Sequence, residues 1–138
     1  MTSTVILDNE AVQALLSVSH PKHPRALAHV QVIVSRKKKG VPTKVVVPTA
    51  VRAEAGWDRT DAGAAFINLL GILDVSLDRA SANIAASIVS KHHVSVADAH
   101  LGAAISTFAG TGQITVVTSD PADMRTVAGT TDMVIVTL

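Results

Sequence analysis

The stretch Val5-Ile6-Leu7-Asp8, close to the amino terminus, consists of three large apolar residues followed by an acid. Such a run is typical of a strand buried in a parallel sheet. Three more acids follow or begin segments next to strand-like runs: Glu54 a turn after Val45-Val46-Val47-Pro48, Asp98 near the start of an alanine-rich helix, and Asp120 after the run 114–119. In a parallel sheet the carboxyl ends of the strands share one edge, where open α/β proteins build their sites.

The pattern of apolar and polar residues alternates between strand and helix periods along the whole chain. Strands are predicted at 4–7, 45–47, 72–75, 114–118 and 133–136. Helices are predicted at 9–17, 24–39, 49–55, 59–70, 77–91, 95–108 and 121–128. This alternation predicts an α/β fold with a central, mainly parallel sheet of about four to five strands.

The composition of the 138 residues indicates a single domain, 1–138, with a core of small and β-branched side chains. Cysteine is absent, which excludes disulfides and thiolate metal sites. The net charge of +1 does not by itself demand a nucleic-acid partner. We see no signal peptide and no apolar stretch of membrane-spanning length, so we expect a soluble, cytoplasmic protein without membrane contact.

Each acid also has an ordinary structural interpretation. Asp8 suits a helix N-cap, Asp98 forms a capping-box-like pair with Ser95, and Asp120 precedes Pro121 as an N-cap would. Glu54, considered by itself, is interpreted as a solvated residue on a helix. Their joint placement at one edge favours a metal site instead, since gathered carboxylates repel one another unless a cation lies among them. Oxygen-only ligands suit Mg²⁺, with Mn²⁺ as the alternative.

The chain resembles the PIN-domain family, and most closely the VapC-type toxins of bacterial toxin–antitoxin pairs. Four stretches in the family's order carry the resemblance: Val5-Ile6-Leu7-Asp8, Val47-Pro48-Thr49-Ala50-Val51-Arg52-Ala53-Glu54, Val94-Ser95-Val96-Ala97-Asp98-Ala99-His100-Leu101 and Val117-Thr118-Ser119-Asp120-Pro121-Ala122-Asp123. The resemblance implies a single PIN-like α/β/α sandwich. It also implies an endoribonuclease that hydrolyses RNA with a metal-activated water, a cognate antitoxin partner and a homodimer.

The resemblance assigns the catalytic roles to Asp8, Glu54, Asp98 and Asp120. Asp8, Asp98 and Asp120 would hold Mg²⁺ or Mn²⁺, and Glu54 would orient or deprotonate the attacking water. The supporting residues would be Asn9, Thr118, Ser119 and Asp123. The sequence leaves open whether Asp120 or Asp123 completes the site, and whether Glu10 faces the pocket or solvent.

Other interpretations of the chain remain. The main alternative is a catalytically silent PIN-like module that binds a metal or a basic partner segment; a receiver-like domain is a further one. The basic run 36–39 is either an RNA phosphate contact or a solvated helix end. His92, His93 and His100 have no zinc-site spacing, and we expect them to be exposed or hydrogen-bonded helix residues.

Overall fold

Strands and helices alternate along the chain. The structure is a computed structural model, and it describes residues 2–138. The strands are β1 (Ser3–Leu7), β2 (Thr43–Pro48), β3 (Leu73–Val75), β4 (Ile114–Thr118) and β5 (Val134–Thr137). The α-helices are α1 (Asn9–Leu16), α2 (His23–Lys38), α3 (Thr49–Glu54), α4 (Ala65–Asn68), α5 (Arg79–His92), α6 (Val96–Phe108) and α7 (Pro121–Ala128), and Ala62–Ala64 forms a 3-10 turn.

The five strands form one sheet in the order β3-β2-β1-β4-β5, and every neighbouring pair is parallel. The predicted α/β class, with four to five mainly parallel strands, is confirmed, and the arrangement is consistent with a PIN-like α/β/α sandwich. The chain moves in one direction across the sheet from β1 to β3, and in the other from β3 to β5. Right-handed connections therefore place helices on both faces.

The sheet is held by small apolar side chains on its central strands. Ile6, Leu7, Val47 and Val116 are almost completely buried, as the continuous apolar runs predict for strands covered on both faces. Four helices begin with a side-chain cap, from Asp8, Asp78, Ser95 and Asp120. Three of these caps follow the carboxyl end of a strand, so the same acids both start helices and line one edge of the sheet.

The helix predicted at 59–70 is shorter than expected. The region holds only the 3-10 turn and the single turn of α4. The carboxylate of Asp58 accepts hydrogen bonds from the Thr60 amide, at 2.9 Å, and from the Thr60 hydroxyl, at 2.6 Å. Such a local bond competes with helix formation. The Arg59 guanidinium lies at the edge of the sheet, where it donates to the Ile72 carbonyl at 2.7 Å.

A cluster around Trp57 secures this segment against β3. Trp57 is buried beneath the Arg59 guanidinium, which lies 4.2 Å from the ring centroid. Arg59 and Arg52 both pair with Asp74 of β3, at 2.9 and 3.2 Å. The indole of Trp57 donates to Asn68 at 2.9 Å. These contacts cover one outer edge of the sheet with charged groups, which protects it from pairing with another chain.

Helices α6 and α7 approach each other closely at Gly102. A Cβ atom at this position would lie 2.7 Å from the Val127 carbonyl oxygen and 2.8 Å from a methyl group of Ile88. Gly102 is one helical turn from Asp98, and Val127 is one turn from Asp123, so each pair shares a helix face. The absent side chain at Gly102 therefore lets α7 bring Asp123 towards Asp98.

Within residues 2–138, every helix is too short or too polar to span a bilayer.

We predict that Gly102→Ala destabilises the protein by about 1–3 kcal/mol, because the new methyl group meets backbone that cannot rotate away. An alanine in a helix interior ordinarily stabilises by up to about 1 kcal/mol relative to glycine, so the sign itself is diagnostic. Urea unfolding measures the difference. Ser106→Ala, at an exposed position one turn later in α6, is the control and should change stability by less than about 0.5 kcal/mol. A more stable Gly102→Ala protein would contradict the close approach.

Candidate active site

Asp8 is the buried acid at the centre of the carboxyl edge. It follows the central strand β1, and only 6% of its surface is exposed. Its Oδ1 accepts from the Ala11 amide at 2.9 Å and so caps α1. Burial raises the pKa of Asp8, and hydrogen bonds from the Thr118 hydroxyl and the Ala11 and Ser119 amides oppose that rise. The polar groups that follow β4 thus help keep a buried carboxylate ionised.

Asp98 is the acid whose pKa is raised by the charges of neighbouring acids. It lies half-buried in the first turn of α6. Burial raises the pKa of Asp98, and the negative charges of Asp123, Glu54 and Asp8 raise it further. A hydrogen bond with Ser95 acts in the opposite direction. The charges of two other predicted catalytic acids, Glu54 and Asp8, thus reach Asp98, and so does the charge of Asp123.

Glu54 is held at the end of α3 by a short chain of side chains from α1. Asn9 Nδ2 donates to Glu54 Oε1 at 3.1 Å, and Gln13 Nε2 donates to Asn9 Oδ1 at 3.1 Å. Glu54 is otherwise exposed to solvent. This contact gives Asn9 a definite position between Asp8, its neighbour in sequence, and Glu54. The bond orients the Glu54 carboxylate while leaving it accessible to water.

Asp120 and Asp123 differ in their contacts at the start of α7. Asp120 accepts from the Asp123 amide at 3.2 Å and caps α7. Its own amide donates to the Thr118 hydroxyl at 2.9 Å. A hydrogen bond with Asp120, together with burial and the Asp120 charge, raises the pKa of Asp123. Asp123 is the member of this pair whose charge acts on Asp98.

Glu10 is directed to the loop after α1. Its carboxylate lies 3.2 Å from His20 Nε2 and 3.7 Å from Lys22 Nζ. Its charge is the smallest of the named influences on the pKa of Asp8. Glu10 is therefore paired with basic groups at the surface.

His100 is fully buried and binds the backbone of α3. Its Nδ1 accepts from the Ala50 amide at 3.2 Å, which joins the first turn of α3 to α6. Burial lowers the pKa of His100, against smaller opposing effects of the Ser76 carbonyl and the Asp78 carboxylate. The neutral ring thus positions the helix that carries Glu54. His92 and His93 are exposed at the end of α5, as expected.

The basic run 36–39 lies at the other end of the sheet. Helix α2 ends at Lys38, a few residues before the start of β2. The Arg36 carbonyl accepts from the Val41 amide, and the adjacent Pro42 carbonyl accepts from the amide of Ser3, where β1 begins. The run is therefore separated from the acids by the length of the strands.

The group formed by Asp8, Glu54, Asp98 and Asp123 contains only carboxylate side chains. Carboxylate oxygens are the metal ligands that hard divalent ions prefer. Among residues 2–138, however, no group of three or more His, Asp or Glu side chains is arranged to hold a metal ion. The carboxylates interact through their charges rather than as a set of ligands already in place. The predicted metal role of Asp8, Asp98 and Asp120 stays a prediction.

Two residues that shape this edge were not recognised from the sequence. Gly102 allows α7 to approach α6, and His100 fixes the start of α3. Gly102 could have been identified from its position, because it is a glycine inside an otherwise regular helix and follows an acid by one turn. No local pattern distinguishes a buried, neutral histidine from an exposed one.

Comparison with known proteins yields no family model that matches this chain and no curated protein that matches it.

We predict that Asp98→Asn stabilises the metal-free protein at pH 7 by roughly 0.5–1 kcal/mol. One pKa unit corresponds to about 1.4 kcal/mol, and we reduce the expectation because Asp98 is partly solvated. The folded-state pKa is raised above 3.8, so the parent loses stability as the pH rises through it, whereas the asparagine variant does not.

The stabilisation should disappear as the pH falls to 3.8 and below, where the carboxyl is protonated in both states. Chemical unfolding in EDTA at several pH values measures this. Asp132→Asn removes an exposed acid next to β5, at the opposite end of the sheet, and serves as the control. A destabilised Asp98→Asn protein at pH 7 would show that repulsion at Asp98 is not the dominant effect.

Proposed function

We propose that this chain is a PIN-type, metal-dependent endoribonuclease that acts as the toxin of a toxin–antitoxin pair in the cytoplasm. The observation that supports the proposal most directly is that the charges of Asp8, Glu54 and Asp123 all raise the pKa of Asp98, at the carboxyl edge of the sheet. Burial raises the pKa of Asp8 and of Asp98, and the charges of neighbouring acids raise the pKa of Asp98 further. Perturbed carboxylates at the carboxyl edge of a parallel sheet are typical of functional sites.

The donor chemistry of the group fits Mg²⁺. This ion is commonly bound by one or two carboxylates and keeps several of its waters, so it does not require three protein ligands in direct contact. Asp8 and Asp98 would hold it, with the Asp120 and Asp123 pair completing the site. When bound, such an ion supplies a water of lowered pKa and neutralises charge on phosphoryl oxygens.

The side chains around the ion have separate roles in this proposal. Glu54 accepts the proton of the attacking water, and Asn9 holds the Glu54 carboxylate in place through the 3.1 Å hydrogen bond. Thr118 and Ser119 act to lower the pKa of Asp8 and so favour its ionised form against the effect of burial. Asp120 orients the first turn of α7, which carries Asp123.

The same negative charge is suited to an inhibitory partner. An arginine from an antitoxin would form charge-assisted hydrogen bonds with these carboxylates and take the position of the metal ion. This partner and the homodimer are proposed on the resemblance of the four motif stretches. The competing function is a binding module that uses the acids for a basic segment without turnover.

We predict that Asp98→Asn lowers Mg²⁺-dependent RNA cleavage by at least about 100-fold, because it removes one negative charge and one anionic ligand from the site. Glu54→Gln should lower the rate by a factor of roughly 10² to 10⁴ while leaving metal affinity little changed, as expected for a group that accepts a proton. Cleavage of a fluorescent RNA under titration with Mg²⁺ measures both effects.

The Asp132→Asn protein should cleave RNA at the parental rate, and EDTA should abolish cleavage by every active variant. Tight binding of a basic peptide by a protein that never cuts RNA, at any Mg²⁺ or Mn²⁺ concentration, would favour the binding module. Undiminished cleavage by Asp98→Asn would refute the assignment of the site.

A further inference from the structure

A cavity of about 350 Å³ lies between α2 and the part of the sheet formed by β1, β4 and β5. Its size falls within the range of small-molecule sites. The apolar wall comes from side chains on one face of the sheet, including Val5, Leu7, Val117 and Val136. Helix α2 covers only part of this face, since its buried residues are His23, Ala26 and Val30.

The titratable side chains that line this cavity are basic. Among the described residues that line it, the titratable side chains are His29 and Arg36, and no acid is present. Within residues 2–138, ion pairs of arginine involve Arg52 and Arg59 but not Arg36. Arg36 thus leaves its guanidinium donors available at the border of an apolar space.

Two polar residues of the lining, Ser3 and Gln113, lie at one end of the cavity. Ser3 and Gln113 lie side by side at the start of β1 and β4, since the neighbouring Thr4 amide donates to the Gln113 carbonyl at 2.9 Å. The backbone of Arg36 lies close to this end, because its carbonyl accepts from the Val41 amide at 3.0 Å and the next residue, Pro42, accepts from the Ser3 amide at 2.9 Å. From there to Leu7 the strand rises roughly 13 Å. The opposite end, next to Leu7 and Ala11, is apolar.

We propose that this cavity binds a small amphipathic carboxylate, with its aliphatic tail along the sheet and its head group paired with Arg36. The hydroxyl of Ser3 and the amide of Gln113 supply further donors for the head group. A partly covered cavity of this volume suits a single extended chain better than the wide face of a protein helix. The assignment is independent of the nuclease proposal, because the head-group end lies at the opposite end of the strands from the acids.

Isothermal titration with decanoate, below its micelle concentration, tests this directly. We expect saturable binding to one site per chain, and binding of 1-decanol and of butyrate weaker by about five-fold or more, because the former lacks the charge and the latter the buried tail. Arg36→Gln should weaken decanoate about three- to five-fold without affecting decanol. The matched control Lys39→Gln, on the same basic run but outside the cavity lining, should bind decanoate as the parent does.

Two further variants address the position of the tail. Val134→Phe and Thr115→Met both place larger side chains into the cavity lining, and each should abolish saturable binding while circular dichroism shows a folded protein. Decanoate binding that survives both substitutions, or that has no single-site stoichiometry, would overturn the proposal. So would equal affinity for decanol and decanoate. A chain that binds no decanoate and sediments as a dimer through this face would assign the cavity to a second copy instead.

Discussion

The parallel pairing of all five strands is the constraint on which the rest of the structure depends. Because β1 pairs with β2 on one side and β4 on the other, the segments that follow these three strands start at the same edge. Asp8, α3 and the Thr118-Ser119-Asp120 turn are brought together in this way, although they are far apart in sequence. An antiparallel pairing of any one strand would have sent its acid to the other end of the molecule.

The concentration of carboxylates opposes folding, and the surrounding structure offsets that cost locally. Asp8 is compensated by three hydrogen-bond donors from α1 and the end of β4. For Asp98, only the hydrogen bond with Ser95 lowers the pKa, whereas burial and three like charges raise it. The group is positioned by ordinary packing, above all by the contact of α6 with α7 at Gly102 and by the bond from Ala50 to His100. A group of mutually repelling carboxylates held on a packed scaffold is the usual compromise between stability and function.

Much of this arrangement could be predicted from the sequence, because strands buried on both faces and capped helices have strong local signatures. The runs around Val46 and Val116 and the cap at Asp120 are examples. The segment 59–70 was predicted less well, since Asp58 and Arg59 make side-chain bonds that compete with its helical spacing. The sequence left the choice between Asp120 and Asp123 open, because residue spacing does not encode how closely α7 packs against α6 at Gly102. The cavity beside α2 was also not predicted, because it results from incomplete coverage of the sheet.

The distribution of charge along the strands has a consequence for the behaviour of the whole molecule. The basic run that ends α2 and the acids that follow β1 and β4 lie at opposite ends of the sheet, in a chain whose formal net charge is only +1. Such a molecule is electrically polarised while nearly neutral. In dilute buffer we expect a weak head-to-tail attraction between copies, and salt at about 0.1 M limits the range of that attraction to about 10 Å.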